Sequence, residues 1–183
     1  MQKDTTTSTY IRWVLIHLGI GAGVFVLPLL AKLYAILIVV VGFRYVIRTK
    51  NAGNEALYVA AYVVGAEVFL RMTEGNFFEQ YAKYVVMGIL ILGMIYQNFS
   101  RHSWIYWVFG LLLIPGIVIA FFTLNFETDS RKAITFNIIG PITLMISAIY
   151  CYQRKITFKQ VLTIVDMLAY PLMATVVYMF AYT

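Results

Sequence analysis

The 183-residue chain is 62% hydrophobic and only 12% charged, against roughly 25% charged residues in an ordinary soluble domain. With a mean hydropathy of +0.82 it reads as an integral membrane protein. A net charge of +6 would suit nucleic acid in a soluble protein, but the basic residues stand singly or in small groups between apolar runs and read as topology signals, with no nucleic-acid partner.

Apolar runs of helical length recur throughout, without the alternation of about ten residues that marks a membrane β-barrel strand. The fold class is therefore all-α, a polytopic helical membrane protein. Met1 to Tyr10 reads as a short polar, mobile tail. The run from Trp13 to Ile47 is too long for one crossing: it would measure about 52 Å at 1.5 Å per residue, against a hydrocarbon core of about 30 Å. Pro28 and Lys32 mark the break, predicting a tight hairpin of Ile11–Leu27 and Leu33–Ile47. A cleaved signal peptide is the rival, but no small-residue cleavage site follows the first half.

A polar connection (Arg48, Lys50, Asn51, Gly53, Asn54) leads to a third span, Ala56–Met72. A loop with Thr73, Glu74, Gly75, Asn76 and Glu79 follows, then a fourth span, Tyr81–Phe99. Trp104, Tyr106 and Trp107 open the fifth span, Trp104–Leu124, as an interfacial belt. Asn125–Lys132 is a charged loop and Ala133–Tyr152 the sixth span. A basic loop, Gln153–Lys159, precedes the seventh, Gln160–Tyr182. Pro115, Pro141 and Pro171 fall inside the last three.

Counting Lys and Arg sets the orientation. With the amino terminus cytoplasmic, nine lie inside (Lys3, Arg12, Arg44, Arg48, Lys50, Arg101, Arg154, Lys155, Lys159) and five outside (Lys32, Arg71, Lys83, Arg131, Lys132). A single crossing over residues 13–47 gives six against seven, so the positive-inside rule favours the hairpin, seven spans and a multi-pass protein. Glu74, Glu79, Glu127 and Asp129 then face outward. The last span ends at A-Y-T without a flanking anchor, so residues 1–183 are expected to be one transmembrane domain, the amino-terminal portion of a longer chain.

Three places carry candidate chemistry. Glu67 and Arg71 are four residues apart on one helix side, with Glu74 further along the same stripe as Ala60 and Val64. A charge in hydrocarbon costs about 2.5–3.5 kcal/mol, so this stripe should look into protein or water. It is a candidate substrate-binding site, arginine's planar fork suiting a diphosphate. Equally, it reads as a self-neutralised pair locking one helix to its neighbours, helped by Ala60, Ala61, Gly65 and Ala66. Asp166 and His17 are candidate intramembrane polar residues. Asp166 would carry a proton or cation, or sit protonated against a neighbouring helix. His17 would bond a neighbouring helix or carbonyl, or relay protons. Neither metal nor cofactor is expected, since His17, His102 and Cys151 have no ligand spacing.

Asn54–Gly75, N-E-A-L-Y-V-A-A-Y-V-V-G-A-E-V-F-L-R-M-T-E-G, and Phe77–Tyr84, F-F-E-Q-Y-A-K-Y, resemble the amino-terminal part of bacterial O-antigen ligase and O-antigen polymerase membrane proteins. The resemblance implies a metal-independent glycosyltransferase of polysaccharide biosynthesis in the bacterial inner (cytoplasmic) membrane. It would move a saccharide from undecaprenyl diphosphate to an acceptor at the periplasmic face. Catalytic arginines and a histidine of that family lie mainly in a large later periplasmic loop, which this sequence does not reach, so none carries over. The expected partners are membrane lipid and a polyprenyl-diphosphate-linked saccharide, with a partner membrane subunit also open. Two alternatives remain: a non-catalytic scaffold or subunit, and a small transporter using Asp166 and the Glu67–Arg71 pair.

Overall fold

A computed structural model describes residues 3–123 and 128–182. Among these the chain is helical, with no strand: α1 (Lys3–Val26), α2 (Leu29–Thr49), α3 (Glu55–Met72), α4 (Tyr81–Gln97), α5 (Trp104–Thr123), α6 (Thr128–Cys151) and α7 (Phe158–Tyr182), plus a 3₁₀ turn at Arg101–Ser103. Five segments are long and apolar enough to cross a membrane: Ser8–Val26, Leu29–Thr49, Arg101–Ala120, Ile134–Cys151 and Phe158–Tyr182. The other two helices are α3, 18 residues carrying Glu55, Glu67 and Arg71, and α4, 17 residues long. The chain is a helical membrane protein.

Two expected boundaries move. The polar tail and the loop predicted at Asn125–Lys132 are both partly helix, because α1 begins at Lys3 and α6 at Thr128. Hydropathy marks where a helix would leave lipid, whereas main-chain hydrogen bonding continues into polar sequence. Residues 1–2 and 124–127, with Glu127 among them, lie outside the described residues.

The break in the first long run falls at Leu27–Pro28. Pro28 caps α2 with φ −56°, a position where its missing N–H costs nothing. Lys32 already belongs to the first turn of α2. The two helices are joined by the tight turn expected and touch each other, but each packs chiefly elsewhere: α1 along α7, and α2 on α3 and α4. Glycine decides this, since a Cβ on Gly21 would stand 2.6 Å from the Ala174 carbonyl oxygen of α7.

Helix α3 is the centre of the bundle, with α2, α4 and α7 against it; α6 packs on α4, and α5 on α6. Its inner side (Val59, Val63, Ala66, Phe69, Leu70) is buried. At Gly65 the backbone meets the Leu168 carbonyl of α7 so closely that a Cβ would collide with it.

Pairs along the helices fix their directions. Tyr10 and Trp13 lie against Tyr170, and Phe25 against Tyr178, so α1 and α7 run parallel. Gln160 reaches Gly53 and Phe69 meets Tyr178, so α3 runs the same way. The exterior is apolar, above all on α5, where Leu111, Leu112, Ile119 and Phe122 are exposed. Pro115, Pro141 and Pro171 leave their helices continuous.

Candidate functional site

The charged stripe of α3 ends at the mouth of the helix. Arg71 Nε and Nη2 donate to Glu67 Oε1 at 3.0 and 2.7 Å, and Nη2 also to the Glu79 carbonyl at 3.2 Å. Both side-chain bonds converge on one carboxylate oxygen, so Nη1 and Glu67 Oε2 make no hydrogen bond to the described residues. The arginine side chain is 48% exposed and the glutamate 24%.

The stripe was expected to look into protein or water. Within the chain it does not look into protein: Val64, Arg71 and Glu74 are exposed and face away from the other helices, and Ala60 is buried in the core instead. Arg71 is one residue from the end of α3 and reaches toward the Thr73–Gln80 connection, as long cationic side chains do at helix ends. Glu74, with φ 53°, turns out of the stripe and makes no ion pair with Arg71.

His17 is fully buried. Its Nδ1 donates to the Trp13 carbonyl, 2.7 Å away, which leaves Nε2 as acceptor for the Tyr62 hydroxyl at 2.8 Å. Tyr34 donates in turn to Tyr62 at 2.8 Å. A neutral imidazole satisfies the whole series, which ties α1, α3 and α2 together. The ring stacks on Tyr170 with centroids 5.8 Å apart. Asp166 lies one turn before Tyr170 on α7 and is half-buried. Tyr170 thus has His17 on its ring and Asp166 one turn before it on α7, while the hydrogen bonds of Glu67 and Arg71 reach neither of them, so the candidates are not gathered into one site.

A second polar centre, at the opposite end of the bundle, was missed in the sequence. Asn51 is fully buried. Its Oδ1 accepts from the Ala56 N–H at 3.0 Å, and its Nδ2 donates to the Gly93 carbonyl at 3.2 Å and the Tyr150 hydroxyl at 2.8 Å. The Arg154 guanidinium carbon lies over the Tyr150 ring, 3.9 Å from its centroid. It donates to the Tyr150 and Asn98 carbonyls and to the side chains of Asn54 and Gln97. Ser100 donates to Gln153 at 2.7 Å, and Gln160 to the Gly53 carbonyl at 2.9 Å. Three connections distant in sequence are thus sewn together. The one available signal was a pair of asparagines in the first connection, and Asn51 and Asn54 both take positive φ there, as asparagine tolerates.

Among the described residues no group of His, Cys, Asp and Glu is placed to hold a metal ion. No family model, curated protein or solved structure matches the chain.

Proposed function

We propose that the chain is a seven-span domain of the bacterial inner membrane, amino terminus cytoplasmic, forming the membrane-embedded part of a lipid-linked glycan ligase or polymerase. In this reading Arg71 contacts the diphosphate of a polyprenyl-linked saccharide at the periplasmic face. The observation that carries it is the half-exposed guanidinium at the end of α3, with Nη1 uncommitted. Glu67 holds the fork in place, and the fork presents hydrogen-bond donors in the plane a diphosphate needs. The nine-to-five distribution of basic residues supports the orientation.

The test is Arg71→Ala and Glu67→Gln in the full-length protein, reading glycan transfer alongside membrane abundance. Loss of transfer of at least about tenfold at unchanged abundance is expected, the worth of one charge-assisted hydrogen bond. Unchanged transfer rejects the role.

The second reading is a non-catalytic scaffold or subunit. It is favoured by the bond from Arg71 to the Glu79 carbonyl, which ties α3 to its own connection. Loss of abundance in both variants, with transfer per molecule preserved, supports it.

A further inference from the structure

Beside Arg154 the ends of α4 and α6 and the turn before α5 border an open recess of about 290 Å³, lined by Gln97, Asn98, Ser100, Tyr152, Gln153 and Arg154 among others. No carboxylate lines it. All four hydrogen-bond acceptors of Arg154 are neutral carbonyl or amide oxygens, and no described carboxylate stands within ion-pair distance. One Nη2 hydrogen remains uncommitted. Residues 48–55, 97–104 and 150–160 hold Arg48, Lys50, Arg101, Arg154, Lys155 and Lys159 against one carboxylate, Glu55, which accepts from the Gly53 N–H.

The depth of the recess follows from its surroundings. Phe99, Trp104, Trp107 and Phe158 are exposed around this end of the bundle, the placement of aromatic side chains at headgroup level. Arg154 is held rigidly, stacked on Tyr150 and bonded at both edges, so little rotamer freedom is left to lose on binding an anion. A fixed guanidinium without a counter-charge, in a basic recess between helix ends, fits a phosphodiester.

We propose that this recess binds the phosphate of an anionic membrane phospholipid, with Arg154 as the ion-pairing group and the Gln153 and Asn98 amides as neighbouring donors. The site lies at the opposite end of the bundle from Arg71 and does not depend on the reading of that residue.

The experiment is native mass spectrometry of the full chain in neutral detergent, titrated with phosphatidylglycerol, phosphatidylcholine or inorganic phosphate. Saturable retention of one phosphatidylglycerol is expected, with phosphatidylcholine at least about tenfold weaker. Arg154→Gln and Gln153→Glu should each weaken phosphatidylglycerol by a similar factor. Gln153→Glu keeps the acceptor for Ser100 and brings a like charge to the phosphate, so it decides the matter if Arg154→Gln fails to fold. Equal retention of the two lipids, or an unchanged affinity in folded Gln153→Glu, overturns the proposal. Displacement of the lipid by inorganic phosphate at equal concentration overturns the lipid assignment.

Discussion

Asn51 and Tyr150, 99 positions apart, meet side chain to side chain: the amide donates to the hydroxyl at 2.8 Å, and the hydroxyl can return the bond to Oδ1 at 3.1 Å. The α2–α3 turn is thereby fixed to the end of α6, and Arg154 on the same ring gathers α4's end into the joint.

Replacing Asn51 separates its two roles. Asn51→Gly keeps the backbone at φ 55° but orphans the Ala56 N–H and removes a donor from Tyr150. A loss of about 1–3 kcal/mol is expected. Asn51→Ala adds the strain of positive φ and should lose more. Unfolding of the purified protein in mixed micelles measures the difference, and equal losses would show that conformation contributes nothing.

The series from His17 to Tyr34 has a direction. Tyr62→Phe removes the donor to Nε2 and the acceptor of Tyr34 together, so about 1–3 kcal/mol should be lost. Tyr34→Phe removes only the terminal donor, and a loss below about 1 kcal/mol is expected, in line with hydrogen bonds between membrane helices. Thermal unfolding of the two variants tests the order. A Tyr34→Phe loss matching that of Tyr62→Phe would mean that the donors run the other way.

Close helix contact predicts a graded glycine series. Gly65→Ala and Gly21→Ala press a methyl onto the backbone of α7, at Leu168 and Ala174, and should cost about 1–3 kcal/mol each. Gly19→Ala has nothing within 4 Å and should be neutral or gain up to about 1 kcal/mol in helix propensity. Unfolding midpoints of the three decide whether α7 packs where described.

Up-and-down packing predicts sidedness. In a Cys151→Ser background, single cysteines at Lys50, Arg101 and Lys155 should react with an impermeant thiol reagent from one side of the membrane. A cysteine at Glu74 should react from the other. The connections that carry these three share one end through the Asn54 and Arg154 bonds. At the other end Gly75 lies against Ala31. Any one of the three labelling with Glu74 contradicts the packing.

Composition determined the membrane class and the length of the apolar runs the helical one, because hydrocarbon admits only helices and closed barrels and the alternation of a barrel strand is absent. Apolar run lengths, the polar connections between them and Pro28 placed the seven described helices, and four-residue spacing put Glu67 beside Arg71, since these signals are local. Which helices touch was beyond the sequence. The α1–α7 and α3–α7 contacts depend on Gly21 and Gly65 meeting particular carbonyls 103 or more positions away, and nothing in a local window specifies such a meeting. Which member of the α3 stripe turns inward was likewise beyond the sequence, because hydrophobic cost says where a charge must not lie but not which side of a helix its neighbours leave open. The joint at Asn51, Tyr150 and Arg154 was assembled only by tertiary structure. Each of its members reads singly as an ordinary turn, core or topology residue, and their chemistry appears only when three chain connections converge.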